Sequence, residues 1–402
     1  MKYTAQEVME YVRQADVKFI RLAFCDAYGR QKNIAVMPAE LERAFDTGIA
    51  FDASAVAGFG GAVRSDLFLR PDAGTLVGLP WRPETGRVVR MFCDVTHPDG
   101  TPSSGDTRAL LKRTAARAQA RGLSFAFGPE MEFYLLKNGP DGERTDTPCD
   151  TAGYMDIAPD DKGENIRREV CLMLEQMGIR PESSHHEEGP GQNEIDFRYS
   201  DPVTAADNAV TFRSVVKTVA AGYGLTADFM PKPLRAHPGS GMHINFSAKS
   251  ADGADRMAQI IAGVMDKAGE MTAFLNPTDN SYLRLGGDKA PGYITWSSEN
   301  RSQLIRIPAA SGEFRRAELR SPDPGTNPYI AFTLMINAGL YGVDKLLSLP
   351  DSTDINLYAA AESELAHLER LPSSRREAQG IARASEFISG ALPAELIELY
   401  CG

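Results

Sequence analysis

The sequence is poor in cysteine, in basic residues and in long apolar runs, and each shortage excludes a class of protein. Its five cysteines, Cys25, Cys93, Cys149, Cys171 and Cys401, are odd in number and form no CxxC pair. That pattern argues against a disulfide framework or a zinc ribbon and fits a reducing compartment. The most apolar stretch, Tyr329 to Val343, is too short to span a bilayer and contains Thr333 and Asn337, so it is expected to be a buried helix. The chain begins Met1-Lys2-Tyr3-Thr4 and runs into charged residues with no apolar h-region, and a cytoplasmic protein without membrane contact is expected. Lys plus Arg number 43 against 54 Asp plus Glu, a net charge of -11 that argues against nucleic-acid binding as the main activity. There is no Walker A sequence and no HExxH, and Gly58-Phe59-Gly60-Gly61 does not fit GxGxxG. The phosphates of any bound nucleotide would therefore be held by metals and arginines. No repeat of fixed period or heptad run occurs.

What is present is the material of a folded protein of two or three domains: 402 residues, 43% of them hydrophobic. Thr4 with Glu7 forms a capping box ahead of the apolar positions Val8, Tyr11 and Val12 of an amphipathic helix. Phe19 to Phe24 reads as a strand, Asp26 to Gly29 as its turn and Lys32 to Val36 as the returning strand, with a short helix after Pro38. Turn-forming residues collect from His97 to Gly105, and the boundary between a domain of residues 1–104 and one of residues 105–402 is expected there. Beyond it, Arg108 to Gln119 and Glu164 to Gln176 read as helices among short strands, a large α+β unit.

Chemistry emerges when strands are split by their period of two. In Phe125 to Leu135 one face carries phenylalanines, Met131 and Leu135, and the other carries Gly128, Glu130, Glu132 and Tyr134. In Asn193 to Tyr199, Ile195, Phe197 and Tyr199 oppose Glu194, Asp196 and Arg198, just after His185-His186-Glu187-Glu188. In Met242 to Ser247, His243, Asn245 and Ser247 alternate with Met242, Ile244 and Phe246, behind a Gly239-Ser240-Gly241 approach suited to close backbone contact with a ligand. Arg316, Glu318 and Arg320 alternate with Ala317 and Leu319. One such strand alone is more often simply solvated. Together, their Glu, His and Arg content suits divalent cations and an anionic group, and points to metal-assisted group transfer. His97, His237 and His367 are isolated, and no cysteine has an evident histidine partner.

At these residues the chain resembles the glutamine synthetase family, in its bacterial type I form. The resemblance extends to about Leu340 and rests on Gly128-Pro129-Glu130-Met131-Glu132-Phe133, His185-His186-Glu187, Gly191-Gln192-Asn193-Glu194, Gly239-Ser240-Gly241-Met242-His243, Asn276-Pro277-Thr278, Asn280-Ser281-Tyr282, Asn300-Arg301-Ser302 and Arg316-Ala317-Glu318-Leu319-Arg320 with Pro322-Asp323-Pro324. It implies an α+β fold with a small N-terminal β-grasp-like domain and a large catalytic domain whose curved antiparallel sheet, flanked by helices, lines a funnel for ATP and glutamate. It also implies two or more Mg²⁺ or Mn²⁺ ions, one held by Glu132, Glu187 and Glu194 and another by Glu130, His243 and Glu318. Gly239, His243, Arg284 and Arg320 resemble glutamate-binding positions. Arg301, Arg306 and Arg316 resemble those that hold ATP and the transferring phosphoryl group, and Tyr199, Asn245 and Ser247 those around the base. Arg301 and Arg320 would act in catalysis together with Asp52, in Phe51-Asp52-Ala53-Ser54, which would reach a neighbouring subunit's site and take up ammonium.

The implied reaction joins ammonia to the γ-carboxylate of glutamate through an acyl phosphate, in a homo-oligomer that is a hexameric ring or a dodecamer. A hexamer is the firmer expectation, because the chain stops at Cys401-Gly402, before the family's last helical extension. The flap, which in the family usually ends in Gly-Tyr-Glu-Ala-Pro, reads Gly286-Gly287-Asp288-Lys289-Ala290-Pro291 here; as a whole it is one residue shorter than the family's flap and carries Lys289 in place of that glutamate, with Asp288 as a substitute acid. That departure leaves two alternatives: a γ-glutamyl-amine ligase for a larger amine or another carboxylate, and a non-catalytic family member. Asn356-Leu357-Tyr358 resembles the loop that is adenylylated in some members, but Ala359-Ala360-Ala361 lacks its acidic and proline context, and no such modification is expected.

Overall fold

The computed structural model describes residues 3–402 apart from 62, 64, 288, 311, 313 and 314. Helix α1 (Ala5–Gln14) begins as expected, with Thr4 Oγ1 accepting from the Glu7 N–H and the Glu7 carboxylate accepting from the Thr4 N–H at 2.7 Å. Strands β1 (Val17–Cys25) and β2 (Gln31–Val36) form the expected hairpin. Helix α2 (Leu41–Asp46) follows, then β3 (Ile49–Asp52), β4 (Asp66–Pro71), β5 (Val77–Gly78) and β6 (Arg87–Thr96). The sheet runs β2-β1-β6-β4-β3, with β5 also on β6 and β1 parallel to β6.

Alternation divides this sheet between two cores. Ile20, Leu22 and Phe24 of β1 and Val89, Met91 and Cys93 of β6 pack with Val8 and Val12 of α1. Ala23, Cys25 and Phe92 point the other way, into the core of the rest of the chain. The segment after β6 is a tight turn: His97 donates its N–H to the Thr101 carbonyl at 2.8 Å, and Ser103 and Asp106 are buried.

The remainder opens with α3 (Thr107–Ala120), β7 (Leu123–Asn138), β8 (Arg144–Pro148), α4 (Glu164–Gln176), β9 (Pro181–His186), β10 (Gln192–Phe197), α5 (Pro202–Gly222), β11 (Leu225–Asp228) and β12 (Met242–Ser250). It continues with α6 (Met257–Asp266), α7 (Ala268–Leu275), α8 (Ser281–Arg284), β13 (Trp296–Ser298), β14 (Ile305–Ile307), β15 (Ala317–Leu319) and α9 (Pro328–Asp344). Among the described residues the second sheet runs β13-β14-β15-β12-β7-β10-β9, with β8 and β11 also on β7. It is antiparallel except at one edge, where β13 runs parallel to β14. Helix α9, the expected buried helix, stacks Phe332 on Phe127 of β7 at 4.3 Å between ring centroids. It crosses α6 at Gly263 and Gly342, where a Cβ on either residue would collide with the other helix's backbone. The helix Ala394–Cys401 ties back to the first hairpin, Tyr400 donating its hydroxyl to the Ala27 carbonyl at 3.0 Å. No helix among the described residues is long and apolar enough to cross a membrane.

One expected strand ends early. The reading that carried alternation from Asn193 to Tyr199 holds only to Phe197, because the pairing of β10 with β9 shifts register between Asp196 and Phe197. Phe197 is buried, whereas Tyr199 is 37% exposed and turned off the apolar face. Arg198 is exposed and does not join Glu194 and Asp196 on their side of the strand.

Candidate functional site

Pairing in the second sheet converts the alternation into a single acidic face. Glu194 lies opposite Glu132 and His185, Asp196 opposite Glu130, His243 opposite Glu130, and Asn245 between Gly128 and Glu318. Arg306 of β14 completes the row opposite Glu318. Side chains directly across neighbouring strands share a face, so residues up to 188 positions apart come together without any loop having to place them. The face lines a cavity of about 370 Å³.

Within it, Glu130, His243 and Glu318 offer ligand atoms within 4.8 Å of one another, as do Glu132, Glu194 and His243, and His185, Glu187 and Glu194. His243 Nδ1 lies 3.5 Å from Glu318 Oε1 and 3.9 Å from Glu130 Oε2, and its Nε2 lies 3.8 Å from Glu132 Oε1. Glu318 is fully buried between two guanidiniums, Arg306 Nε at 2.7 Å and Arg320 Nη1 at 2.5 Å. Glu132 accepts from the Gly241 N–H at 3.0 Å and from Gln192 Nε2 at 3.1 Å.

Among the described residues, Glu132, Glu187, Glu194 and Asp196 on the other side of the cavity form no direct ion pair with an arginine or lysine. Burial, followed by the charge of Glu187, pushes Glu132 up to about 8. Burial pushes Glu187 up to about 7, and burial with the nearby Glu130 does the same for Asp196. Glu194 is raised well above its ordinary range by burial and by Asp196 and Glu132. Burial, then Arg320, drives His243 well below its usual value and leaves it neutral. Opposed carboxylates that repel one another, beside a neutral imidazole, form a donor set suited to hard divalent cations.

Each residue named from the sequence can now be located. Glu130, Glu132, Glu187, Glu194, Gly239, His243, Arg284, Arg301, Arg306 and Arg320 line the main cavity. Tyr199, Asn245, Ser247 and Arg316 line an adjoining space of about 50 Å³ that shares Glu130 and Asp196 with it. Asn245 links the two, donating from Nδ2 to Glu130 at 2.6 Å and accepting from Arg316 Nε at 2.8 Å. The Gly239-Ser240-Gly241 approach serves protein contacts: a Cβ on Gly239 would sit 2.6 Å from the Pro231 carbonyl oxygen and 2.8 Å from Arg284 Cγ, and one on Gly241 would sit 2.6 Å from His243 Nε2. Arg284 is itself fixed by the Ser321 and Arg320 carbonyls at 2.8 and 3.2 Å. Asp52 lies apart, exposed at the end of β3, where it accepts from the Ser54 N–H and hydroxyl at 3.0 and 2.7 Å.

Sequence reasoning missed several lining residues. Asp196 and His185 carried a visible signal, the first two positions from Glu194 and the second two from Glu187. Tyr154 and Tyr358 come from irregular segments with no period to reveal them, and the Tyr358 hydroxyl donates to the Arg301 carbonyl at 3.0 Å. In the flap, Asp288 lies outside the described residues, and Lys289 Nζ meets Glu188 Oε1 at 2.9 Å across the cavity rim. The cation where the resemblance implied an acid thus has its own counter-charge.

Buried behind the hairpin of β9 and β10 is a supporting network. Asp150 accepts from the Gly191 N–H at 2.7 Å and faces His186 Nε2 at 3.0 Å, while His186 Nδ1 lies 2.7 Å from the Glu187 carbonyl oxygen. Arg167 bridges Asp161 and Asn193 nearby. The backbone carrying Glu187 and Glu194 is held from beneath.

Comparison with known proteins gives concordant results. The family described as "Glutamine synthetase, catalytic domain" matches residues 104–402, and "Glutamine synthetase, beta-Grasp domain" matches residues 16–98. A glutamine synthetase of Clostridium saccharobutylicum is 44% identical over 406 residues, 97% of this chain and 92% of that protein. One from Methanosarcina mazei is 42% identical over 412 residues, covering 99% and 92%. Among solved structures, "GmaS/ADP complex-Conformation 1" superposes with a TM-score of 0.88 at 29% identity, over 100% of this chain and 94% of that one. Plasmodium falciparum glutamine synthetase superposes at 0.87 with 21% identity, over 100% and 95%, a likeness of fold.

Proposed function

This chain belongs to the glutamine synthetase family, and on that premise we propose how its cavity performs the ATP-dependent synthesis of glutamine from glutamate and ammonia. The observation that carries the assignment of residues is the acidic face, on which strand register gathers the metal-type donors beside four arginines. Glu130, His243 and Glu318 would hold one divalent ion; Glu132, Glu187 and Glu194 would hold another, and the oxygen-rich set suits Mg²⁺ or Mn²⁺. Bound ions would supply positive charge against the polyphosphate and the acids.

A carboxylate is too weak an electrophile for an amine at neutral pH. An oxygen of the glutamate γ-carboxylate therefore attacks the γ-phosphorus of ATP, the bond to ADP breaks, and an acyl phosphate forms. Ammonia nitrogen then attacks the acyl carbon, the carbon–oxygen bond to phosphate breaks, and the nitrogen sheds a proton. Arg301 and Arg306 neutralise the transferring group, and Arg320 and Arg284, both buried and rigidly held, orient glutamate with Gly239 and His243. Tyr199, Asn245, Ser247 and Arg316 would receive the nucleotide. Asp52, exposed and far along the small sheet, would serve a neighbouring subunit, which makes the active protein a homo-oligomer, as a hexameric ring or a dodecamer. The free cysteines support a reducing, cytoplasmic setting.

The curated relatives at 42–44% identity are glutamine synthetases, so neither a larger acceptor amine nor another carboxylate is favoured. The complete donor set likewise disfavours a non-catalytic member. Phosphate release with ATP, Mg²⁺ and glutamate tests the reading, comparing no amine, ammonium, hydroxylamine and alkyl amines. Ammonium-dependent release with glutamine formed is expected; release confined to another amine, or none at all, overturns it.

A further inference from the structure

A second cavity, of about 830 Å³, lies at the seam between the two sheets, away from the acidic face. Its wall mixes the apolar Leu76, Phe92, Phe125, Met177 and Ile179 with the charged Asp72, Arg90, Arg108, Lys112, Asp201 and Asp207, and of these charges Arg90 is the one left, among the described residues, without an acid of its own. Arg90 of β6 is only 6% exposed, with its guanidinium 4.1 Å from the Phe92 ring centroid and Nη1 donating to Thr211 Oγ1 at 2.7 Å. Its Nε is buried with no hydrogen-bond partner, and Nη2 makes no hydrogen bond among the described residues. The nearest acid does not answer it. Asp207 is occupied by Arg108, at 3.0 Å from Nε and 2.9 Å from Nη2, and by the Tyr329 hydroxyl at 2.7 Å. Asp72, also on the wall, pairs with Arg108 and Lys112 at 2.9 and 3.1 Å, and Asp201 caps α5 by accepting from the Thr204 N–H at 3.1 Å.

A buried guanidinium with one edge unmatched is costly, and burial lowers its affinity for its own proton to about 10. The Nε–Nη2 edge is the fork that a carboxylate or phosphoryl group meets with two parallel hydrogen bonds. The cavity volume lies in the range of small-molecule pockets. We propose that this cavity binds a small anion, its carboxylate or phosphoryl group on Arg90 and its apolar body against Phe92, Met177 and Ile179. The site is separate from the glutamate and ATP sites and joins the two units of the chain, since Arg90 and Phe92 come from the small sheet while Met177 and Ile179 follow α4.

The test is titration calorimetry on the full-length protein with inorganic phosphate, phenyl phosphate, benzoate and hexanoate, for the wild type, Arg90→Met and Ala116→Trp. Ala116 is on the cavity wall and exposed, so the tryptophan takes up part of the space while leaving Arg90 intact. Expected is binding of phenyl phosphate, benzoate or hexanoate more tightly than of inorganic phosphate, weakened about tenfold or more by each variant, with ammonium-dependent phosphate release retained. The phosphate and carboxylate probes decide between the two ligand sources. If Arg90→Met fails to fold, Ala116→Trp decides. Absence of heat with every probe, or binding that the variants leave unchanged, overturns the proposal, the second outcome placing the anion in the catalytic cavity.

Discussion

Stripping the protein of divalent ions and raising the pH should destabilise it, and removing one carboxylate of the acidic face should restore stability. Burial and mutual repulsion push Glu132 up to about 8 and Glu187 up to about 7 from an ordinary value of 4.5, and Asp196 up to about 7 from 3.8. A carboxyl whose folded value lies above its unfolded one favours folding while it is protonated. That contribution is complete below about pH 4.5 and is lost as pH rises through the folded values. Between about pH 5 and 8 the ion-free protein therefore loses stability, by an amount on the order of a few kcal/mol, since one pKa unit corresponds to about 1.4 kcal/mol. Divalent ions replace the protons and flatten the profile, with the largest gain from metal at the alkaline end. The isosteric change Glu132→Gln removes one of two opposed charges and keeps the acceptor for the Gly241 N–H, so at pH 8 without metal the variant should melt several degrees above the wild type while having lost activity. Differential scanning fluorimetry of chelated protein at pH 6, 7 and 8, with and without Mg²⁺ or Mn²⁺, measures this. A melting temperature that ignores pH, or a Glu132→Gln variant less stable than wild type at pH 8 without metal, refutes the argument that these acids are held together against their own repulsion.

Three further outcomes follow from the geometry. The pair between Lys289 and Glu188 is largely exposed, at 59% and 40%, so screening limits it to about 1 kcal/mol or less; Lys289→Ala should change the Michaelis constants by no more than about fivefold, and the charge-swapped Lys289→Glu/Glu188→Lys protein should return toward wild type, whereas Lys289→Glu alone should raise ammonium use if the lysine obstructs it. Glu318→Gln leaves Arg306 and Arg320 without their shared anion and removes a donor from the metal-type set, so kcat with ammonium should fall at least a hundredfold; a loss under tenfold would remove Glu318 from the site. Mixing inactive Asp52→Asn with inactive Glu132→Gln under subunit exchange should regenerate activity if Asp52 works across an interface, and mixed oligomers that stay inactive would return Asp52 to a role within its own subunit.

The fold was most legible where local chemistry decides it. Thr4 and Glu7 satisfy each other's backbone whatever lies beyond them, and the Asp26 to Gly29 turn joins two strands adjacent in sequence. The acids were legible for a related reason: a side chain on the polar face of a strand with a buried opposite face has one place to go, so alternation alone separated Glu130 and Glu132 from Met131 and Phe133. Alternation does not give register. Which strand lies beside which, and at what offset, is decided by pairings as distant as Asn245 with Glu318, and only that offset brings His243 opposite Glu130. Tyr199 marks the point where the period fails, since the register shift after Asp196 rotates everything beyond it, and the tyrosine reaches the smaller adjoining cavity because β10 has ended.

Residues outside the strands were invisible for a different reason. Lys289 and Glu188 meet from two connections with no common period, and nothing in either segment names the other. The same holds for Arg90, whose unmatched edge is a property of the seam: β6 supplies the guanidinium, α3 supplies the Arg108 that occupies Asp207, and α5 supplies both Asp207 and Thr211. On the sequence Arg90 is one more basic residue in an apolar strand. Its significance lies in the partner it does not have, and a missing partner becomes visible only when every neighbour has been placed. The acidic face and Arg90 are thus two forms of one physical situation, buried charge without full compensation inside the chain. The first is answered by the cations and substrates of the proposed reaction. The second calls for an anion that the reaction itself does not place there.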